Sequence, residues 1–205
     1  MNDDYINQAV GEKELEALRR LAKEEEIDFF RRNAHLIGVY RDRLIAVALC
    51  QGAALQCMGL GRGVKDFDVH FFYLQNPAKP RLSRTVKRIS AVIGAFANIQ
   101  VDFVRTIVPY DPACEQMSSV EQVRRFLASK RTRNAFHLAK QPAIGLLPDE
   151  LFNVIIWRPE GSSNLRVDGS VALENQYRDM ASDATHEREA EEWIEALVGD
   201  AFTEK

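Results

Sequence analysis

The spacing of apolar residues changes several times along the chain, and each change predicts an element. Glu12 to Glu25 (EKELEALRRLAKEE) places Leu15, Leu18 and Ala22 at three- and four-residue intervals, the period of an amphipathic helix. A helical or irregular piece follows, with Phe29, Phe30, Leu36 and Ile37. Leu44 to Cys50 (LIAVALC) is a short unbroken apolar run, which predicts a buried strand ended by Gln51-Gly52. Ala53 to Met58 is built of good helix formers and predicts a short helix, and Leu60 to Gly63 reads as a turn. From Asp66 to Leu74 (DFDVHFFYL) the period at first drops to two. Phe67, Val69, Phe71 and Tyr73 share one face of a strand, while Asp66, Asp68 and His70 share the other.

Further along, QNPAKP is a loop, and Val86, Ile89, Val92, Ile93 and Phe96 predict a helix over Leu82 to Phe96. Gln100 to Val108 is β-rich in composition. Ser119 to Lys130 predicts a helix that could run on to Lys140, Val154 to Trp157 a late strand, and Thr185 to Val198 an acidic amphipathic helix with Trp193, Ile194 and Leu197 on its apolar side. Strands interspersed with helices give an α+β expectation: a small mixed sheet flanked by helices, with a helical or mixed C-terminal extension. Its core should include Leu44, Ile45, Val47, Leu49, Phe67, Val69, Phe71, Val101 and Phe103. The clearest boundary lies at Pro109 to Pro112, with a softer one around Pro159 to Asp168; the former divides residues 1–112, a core with N-terminal helices, from residues 113–205, an extension ending in the acidic helix.

Composition narrows the class. The 205 residues are 46% hydrophobic and 28% charged, which excludes a mostly disordered chain, a collagen-like repeat and a disulfide scaffold. MNDDYINQ is unlike an export signal, and the apolar stretch Leu44 to Leu60 is too short and too interrupted, by Gln51, Gly52 and Gln56, to span a bilayer. With three Cys in the chain, the expectation is a cytoplasmic protein without a membrane partner. The net charge is −3, unevenly spread: Glu174 to Lys205 holds ten acidic and three basic residues. Lys79 to Arg88 and Arg124 to Lys140 contain bases and no acids. Such stretches can hold phosphate groups, or can be solvated helix faces.

The chemistry is concentrated in three ordered features. An apolar strand ends at Gly52 and runs into a helix start (CQGAALQC). Fourteen residues after Gly52 comes Asp66-Phe67-Asp68 at the head of a strand, and thirty-four residues after Asp68 comes Asp102 inside another. Asp66 and Asp68, two apart on a strand, point the same way. If the Asp102 strand lies beside theirs, three carboxylates converge. Like charges about 4 Å apart repel by roughly 4 kcal/mol at an effective dielectric near 20. A divalent cation removes that repulsion, and Mg²⁺ is commonly held by a few carboxylates plus substrate phosphates. Gly52 would let the backbone approach a phosphate.

Gly52-Ala53-Ala54-Leu55, Asp66-Phe67-Asp68-Val69 and Val101-Asp102-Phe103, in that order, resemble the nucleotidyltransferase superfamily with the DNA-polymerase-beta-type palm. Within it the likeness is to small bacterial nucleotidyltransferases of the abortive-infection toxin kind. It covers roughly Ile37 to Val108. The resemblance implies a nucleotidyltransferase-like sheet and transfer of a nucleoside monophosphate from a nucleoside triphosphate to an acceptor hydroxyl, on RNA, a protein or a small molecule. It implies Mg²⁺ held by Asp66, Asp68 and Asp102, with Asp102 also orienting or deprotonating the hydroxyl, and backbone contact to the triphosphate at Gly52. The family usually places Ser where Ala53 stands, so Ala53 offers only its N–H; Lys65, Arg62 and the Lys79–Arg88 cluster could supply phosphate contacts instead. A catalytically silent relative that binds nucleic acid or a protein partner is the alternative.

Several residues carry a second reading. His70 continues the carboxylate face and could sit near the site, or be a satisfied core histidine. Arg105, on the opposite strand face from Asp102, reads as structural. Arg131, Asn134 and His137 resemble a loose version of the ribonuclease motif of HEPN helical domains, against the plainer reading of a basic helix. No Cys or His spacing matches a zinc site, and neither a P-loop nor a nucleophile elbow is present.

Overall fold

The computed structural model describes residues 5–78, 82, 85–114 and 116–159, all within one compact unit, Met1–Ser162. The acidic helix expected over Thr185 to Val198 lies outside the described residues. A long helix, α1 (Glu12–Arg32), is followed by a short one, α2 (Ile37–Tyr40), then β1 (Leu44–Cys50), α3 (Gln51–Cys57), β2 (Asp66–Leu74), β3 (Val86–Ile93), β4 (Phe96–Val108), α4 (Ser119–Ser129), α5 (Arg133–Leu138), β5 (Ala143–Leu147) and β6 (Ile155–Trp157). The strands form one six-stranded mixed sheet in the order β3-β4-β2-β1-β5-β6. Only β2 and β4 run parallel; the other neighbours are antiparallel. This is the α+β architecture the patterning predicts.

The sheet is covered on both faces. On one, Leu15, Leu18, Ala22 and Phe29 of α1 pack on Val47, Leu49, Phe67, Val69, Phe71, Val101 and Phe103. On the other, Val123, Phe126 and Leu127 of α4 and Ala135 and Leu138 of α5 pack on Ala46, Ala48, Cys50 and Phe72. Of the expected core, Leu44 and Ile45 are only half-buried and the other seven are buried.

Two expectations change. The helix expected over Leu82 to Phe96 is overturned by its 86–93 segment, which is the edge strand β3. The three- and four-residue spacing of Val86, Ile89, Val92 and Ile93 coincides with a second, two-residue alternation. Lys87, Ile89 and Ala91 are half-buried, while Val86, Arg88, Ser90 and Val92 are exposed. Four β-branched side chains favour the strand, and Gly94, at φ +55, makes the two-residue connection to Phe96 that pairs β3 with β4. A Cβ at Gly94 would lie 2.0 Å from Glu14 Oε1. The second change concerns the boundary at 112. Strand β5, from beyond it, pairs onto β1, and β6 pairs onto β5, so the same sheet continues past this point. β5 is buried at every position, so it shows no alternation, and a Cβ at Gly145 would meet the Leu151 carbonyl at 2.0 Å.

The stretch from Ser119 to Lys140 is two helices rather than one. Ser118 accepts from the Glu121 N–H and caps α4; Lys130 ends it in a left-handed conformation, φ +48; Thr132 then caps α5 by accepting from the Ala135 N–H.

Beneath α1 lies a buried ionic cluster. Arg105 is 1% exposed; its Nη2 donates to Glu25 Oε1 at 2.9 Å, and its guanidinium sits 3.6 Å from the Phe29 ring centroid. Lys87 and Arg32 also pair with Glu25. Arg105 is therefore structural, as its strand parity indicates. Nearby, Tyr73 donates to Glu26 Oε2 at 2.5 Å, and burial pushes the Glu26 carboxyl up.

Candidate active site

Strand parity and register bring the three aspartates together. In the parallel β2–β4 pair, Asp68 lies opposite Asp102 and Asp66 opposite Gln100. Neighbouring strands are about 4.8 Å apart, so the Asp68 and Asp102 side chains leave the sheet side by side, with Asp66 one pleat away on the same face. Phe67, Val69, Val101 and Phe103, on the other face, are buried under α1, which fixes the register.

The charges feel one another. Burial, with Asp66 and Asp102 adding like-charge repulsion, pushes the Asp68 carboxyl from 3.8 to about 7. Asp66 is raised for the same reasons, burial first and then Asp102, with Lys65 and Arg88 pulling it back. Asp102 is buried, and both its oxygens are engaged: Arg88, opposite it on β3, donates from Nε to Oδ1 at 3.0 Å and from Nη2 to Oδ2 at 2.9 Å. The Arg88 side chain is 64% exposed, so the ion pair is made by a surface arginine lying over the site, not by a group in the core.

Among the described residues no group of three or more His, Cys, Asp or Glu side chains is arranged to hold a metal ion. Asp66 and Asp68 are hard oxygen donors with a surplus of negative charge, which suits Mg²⁺. Asp102 suits it only with Arg88 turned away. Arg88 belongs to the base-only stretch Lys79 to Arg88, and the helical expectation there hid its place across from Asp102.

The other expected residues sit at one end of the same strands. Cys50 pairs with Asp68, so the β1–α3 junction lies beside the carboxylates. Gln51 has φ +62, a conformation uncommon for a residue with a Cβ. Gly52 is exposed, and a Cβ there would meet nothing within 4 Å; internal packing does not require a glycine at this position. The Ala53 side chain is buried in the core cluster and Lys65 is exposed just before Asp66. His70 is buried, with Nδ1 3.0 Å from Thr106 Oγ1.

Behind His70, on the α5 side, is a pocket of about 490 Å³ lined by Gln51, His70, Arg133, His137, Lys140 and Gln141, among others. The base-only composition of Arg124 to Lys140 signalled these cations, but not that they face β2. Asn134 and His137 also line this pocket, whereas Arg131 lines a different one with Tyr110 and Phe126. The Arg131–Asn134–His137 motif is thus divided between two pockets. Cys50, Cys57 and Cys114 are free thiols, and no helix among the described residues is long and apolar enough to cross a membrane. Compared with family models, curated proteins and solved structures, the chain finds no match.

Proposed function

We propose that the protein is a Mg²⁺-dependent nucleotidyltransferase, acting on a nucleoside triphosphate and an acceptor hydroxyl. One observation carries the reading: Asp68 lies in register with Asp102 across a parallel strand pair, with Asp66 on the same face. The Asp68 carboxyl, raised first by burial and then by repulsion from Asp66 and Asp102, agrees with this reading, since a bound cation would offset that repulsion. The ordered resemblance of Gly52, Asp66, Asp68 and Asp102 to the nucleotidyltransferase palm supports the same reading.

In this scheme Asp66 and Asp68 would hold the metal, and Asp102 would join them once Arg88 has swung off. Bound Mg²⁺ would neutralise charge developing on the phosphates and lower the pKa of the attacking hydroxyl. Asp102 would accept the hydroxyl proton or orient it. The acceptor oxygen forms a bond to the α-phosphorus, the bond from that phosphorus to the bridging oxygen breaks, and pyrophosphate leaves with the electron pair. The Gly52 and Ala53 backbone N–H groups would lie against the triphosphate. Catalysis would rest on positioning and electrostatic stabilisation.

The Arg88 clamp on Asp102 and the absence of a serine hydroxyl at Ala53 favour a second reading, a catalytically silent module of the same fold that binds nucleic acid or a protein partner. Incubation with a labelled nucleoside triphosphate and Mg²⁺ separates the two. The transferase releases pyrophosphate, and Asp68→Asn lowers the rate at least a hundredfold. A wild-type protein that releases none with any triphosphate and a broad set of acceptors is the silent module.

A further inference from the structure

The pocket behind His70 has a composition that the carboxylate site does not explain. Its rim carries Arg133, His137 and Lys140, all exposed, and among the described residues no acidic one lines it. Among the described residues neither Arg133 nor Lys140 is in an ion pair; the Lys140 ammonium instead sits 4.5 Å from the Phe136 ring centroid. Uncompensated cations around a concave surface attract a compact anion, and 490 Å³ holds a small molecule rather than a polymer.

Its position fits one class of anion. His70 is two residues beyond Asp68 on the same strand face, about 7 Å along β2, and Gln51 adjoins Gly52. The pocket therefore adjoins the carboxylates on the β1 side, while Arg88 flanks them on the β3 side. The geometry points to a polyphosphate subsite: Arg133 and Lys140, with His137, bind the β- and γ-phosphates of a nucleoside triphosphate whose α-phosphate lies over Asp66 and Asp68. The two cations then take the place of the hydroxyl that Ala53 lacks. The subsite's catalytic use rests on the transferase reading; its affinity for polyphosphate does not.

Calorimetric titration of the full chain with inorganic pyrophosphate and with tripolyphosphate, without metal, tests this directly. Wild type binds, and Arg133→Ala with Lys140→Ala weakens binding at least tenfold. Asp66→Asn with Asp68→Asn leaves it intact or tightens it, since two negative charges are removed nearby. The charge-matched control Lys13→Ala with Arg20→Ala, on α1 at the opposite sheet face, leaves it unchanged. Equal losses in the α5 and α1 double variants would mean a diffuse charge effect and overturn the proposal. So would binding of a single-stranded oligonucleotide that pyrophosphate cannot displace. If pyrophosphate binds as described while no triphosphate is ever cleaved, the subsite stands and the transferase reading falls. If triphosphate is cleaved with a KM unaffected by the Arg133 and Lys140 substitutions, the transferase stands and the subsite falls.

Discussion

Replacing Asp68 by asparagine should stabilise the metal-free protein at alkaline pH, an unusual outcome for a half-buried polar residue. An unfolded aspartate titrates near 3.8, whereas folded Asp68 titrates near 7, mainly because it is buried and secondarily because Asp66 and Asp102 stand beside it. Its folded value is raised, so the penalty is absent below pH 3.8. It accumulates as pH rises, because the unfolded chain releases this proton while the fold retains it, and it is complete above about pH 7. At roughly 1.36 kcal/mol per pKa unit the shift is worth at most about 4 kcal/mol. The coupling to Asp66 means the titration belongs to the group as a whole, and relaxation reduces the figure. The substituted amide keeps the shape of the carboxyl and carries no charge. In urea unfolding the Asp68→Asn variant should match wild type near pH 4 and exceed it by about 2–4 kcal/mol at pH 8. Saturating Mg²⁺ should narrow the difference at pH 8 by stabilising wild type alone. Parallel stability–pH curves for the two proteins would refute the reasoning, because the aspartates would then not share a partly desolvated site.

Two further substitutions probe the surroundings. Arg88→Ala removes the group that holds both Asp102 oxygens and pulls down the Asp66 and Asp68 carboxyls; Mg²⁺ affinity, read by calorimetry at pH 8, should rise severalfold, and an unchanged affinity would show that Arg88 does not compete with the metal. Glu25→Ala leaves buried Arg105 without its ion-pair partner, with Glu26 as the remaining nearby carboxyl; urea unfolding should report a loss of about 3–5 kcal/mol, whereas a loss under about 1 kcal/mol would mean that water or Glu26 compensates the guanidinium.

Part of the fold was legible from local pattern: β1 as an unbroken apolar run, and β2 as an alternation from Asp66 to Phe71. That alternation let both the carboxylate face and the core face of β2 be read directly, and Arg105 followed from parity with Asp102. β3 was hidden because its β-branched residues also satisfy a helical period, and only its pairing with β4 decides between the two. β5 was hidden because both of its faces are buried, leaving no pattern to read. At the site, the residue types and their order were visible, but the partners were not. That Arg88 lies opposite Asp102, and that Arg133 and Lys140 share a pocket with His70, depends on which strands and helices pack together. Local spacing carries no information about that.

Titration of the protein with Mg²⁺ at pH 8, for wild type, Asp66→Asn and Asp68→Asn, tests the three-aspartate site most directly. The account predicts that wild type binds at least one ion in the millimolar range or tighter and that each substitution weakens binding at least tenfold. Absence of binding, or binding indifferent to both substitutions, would contradict it.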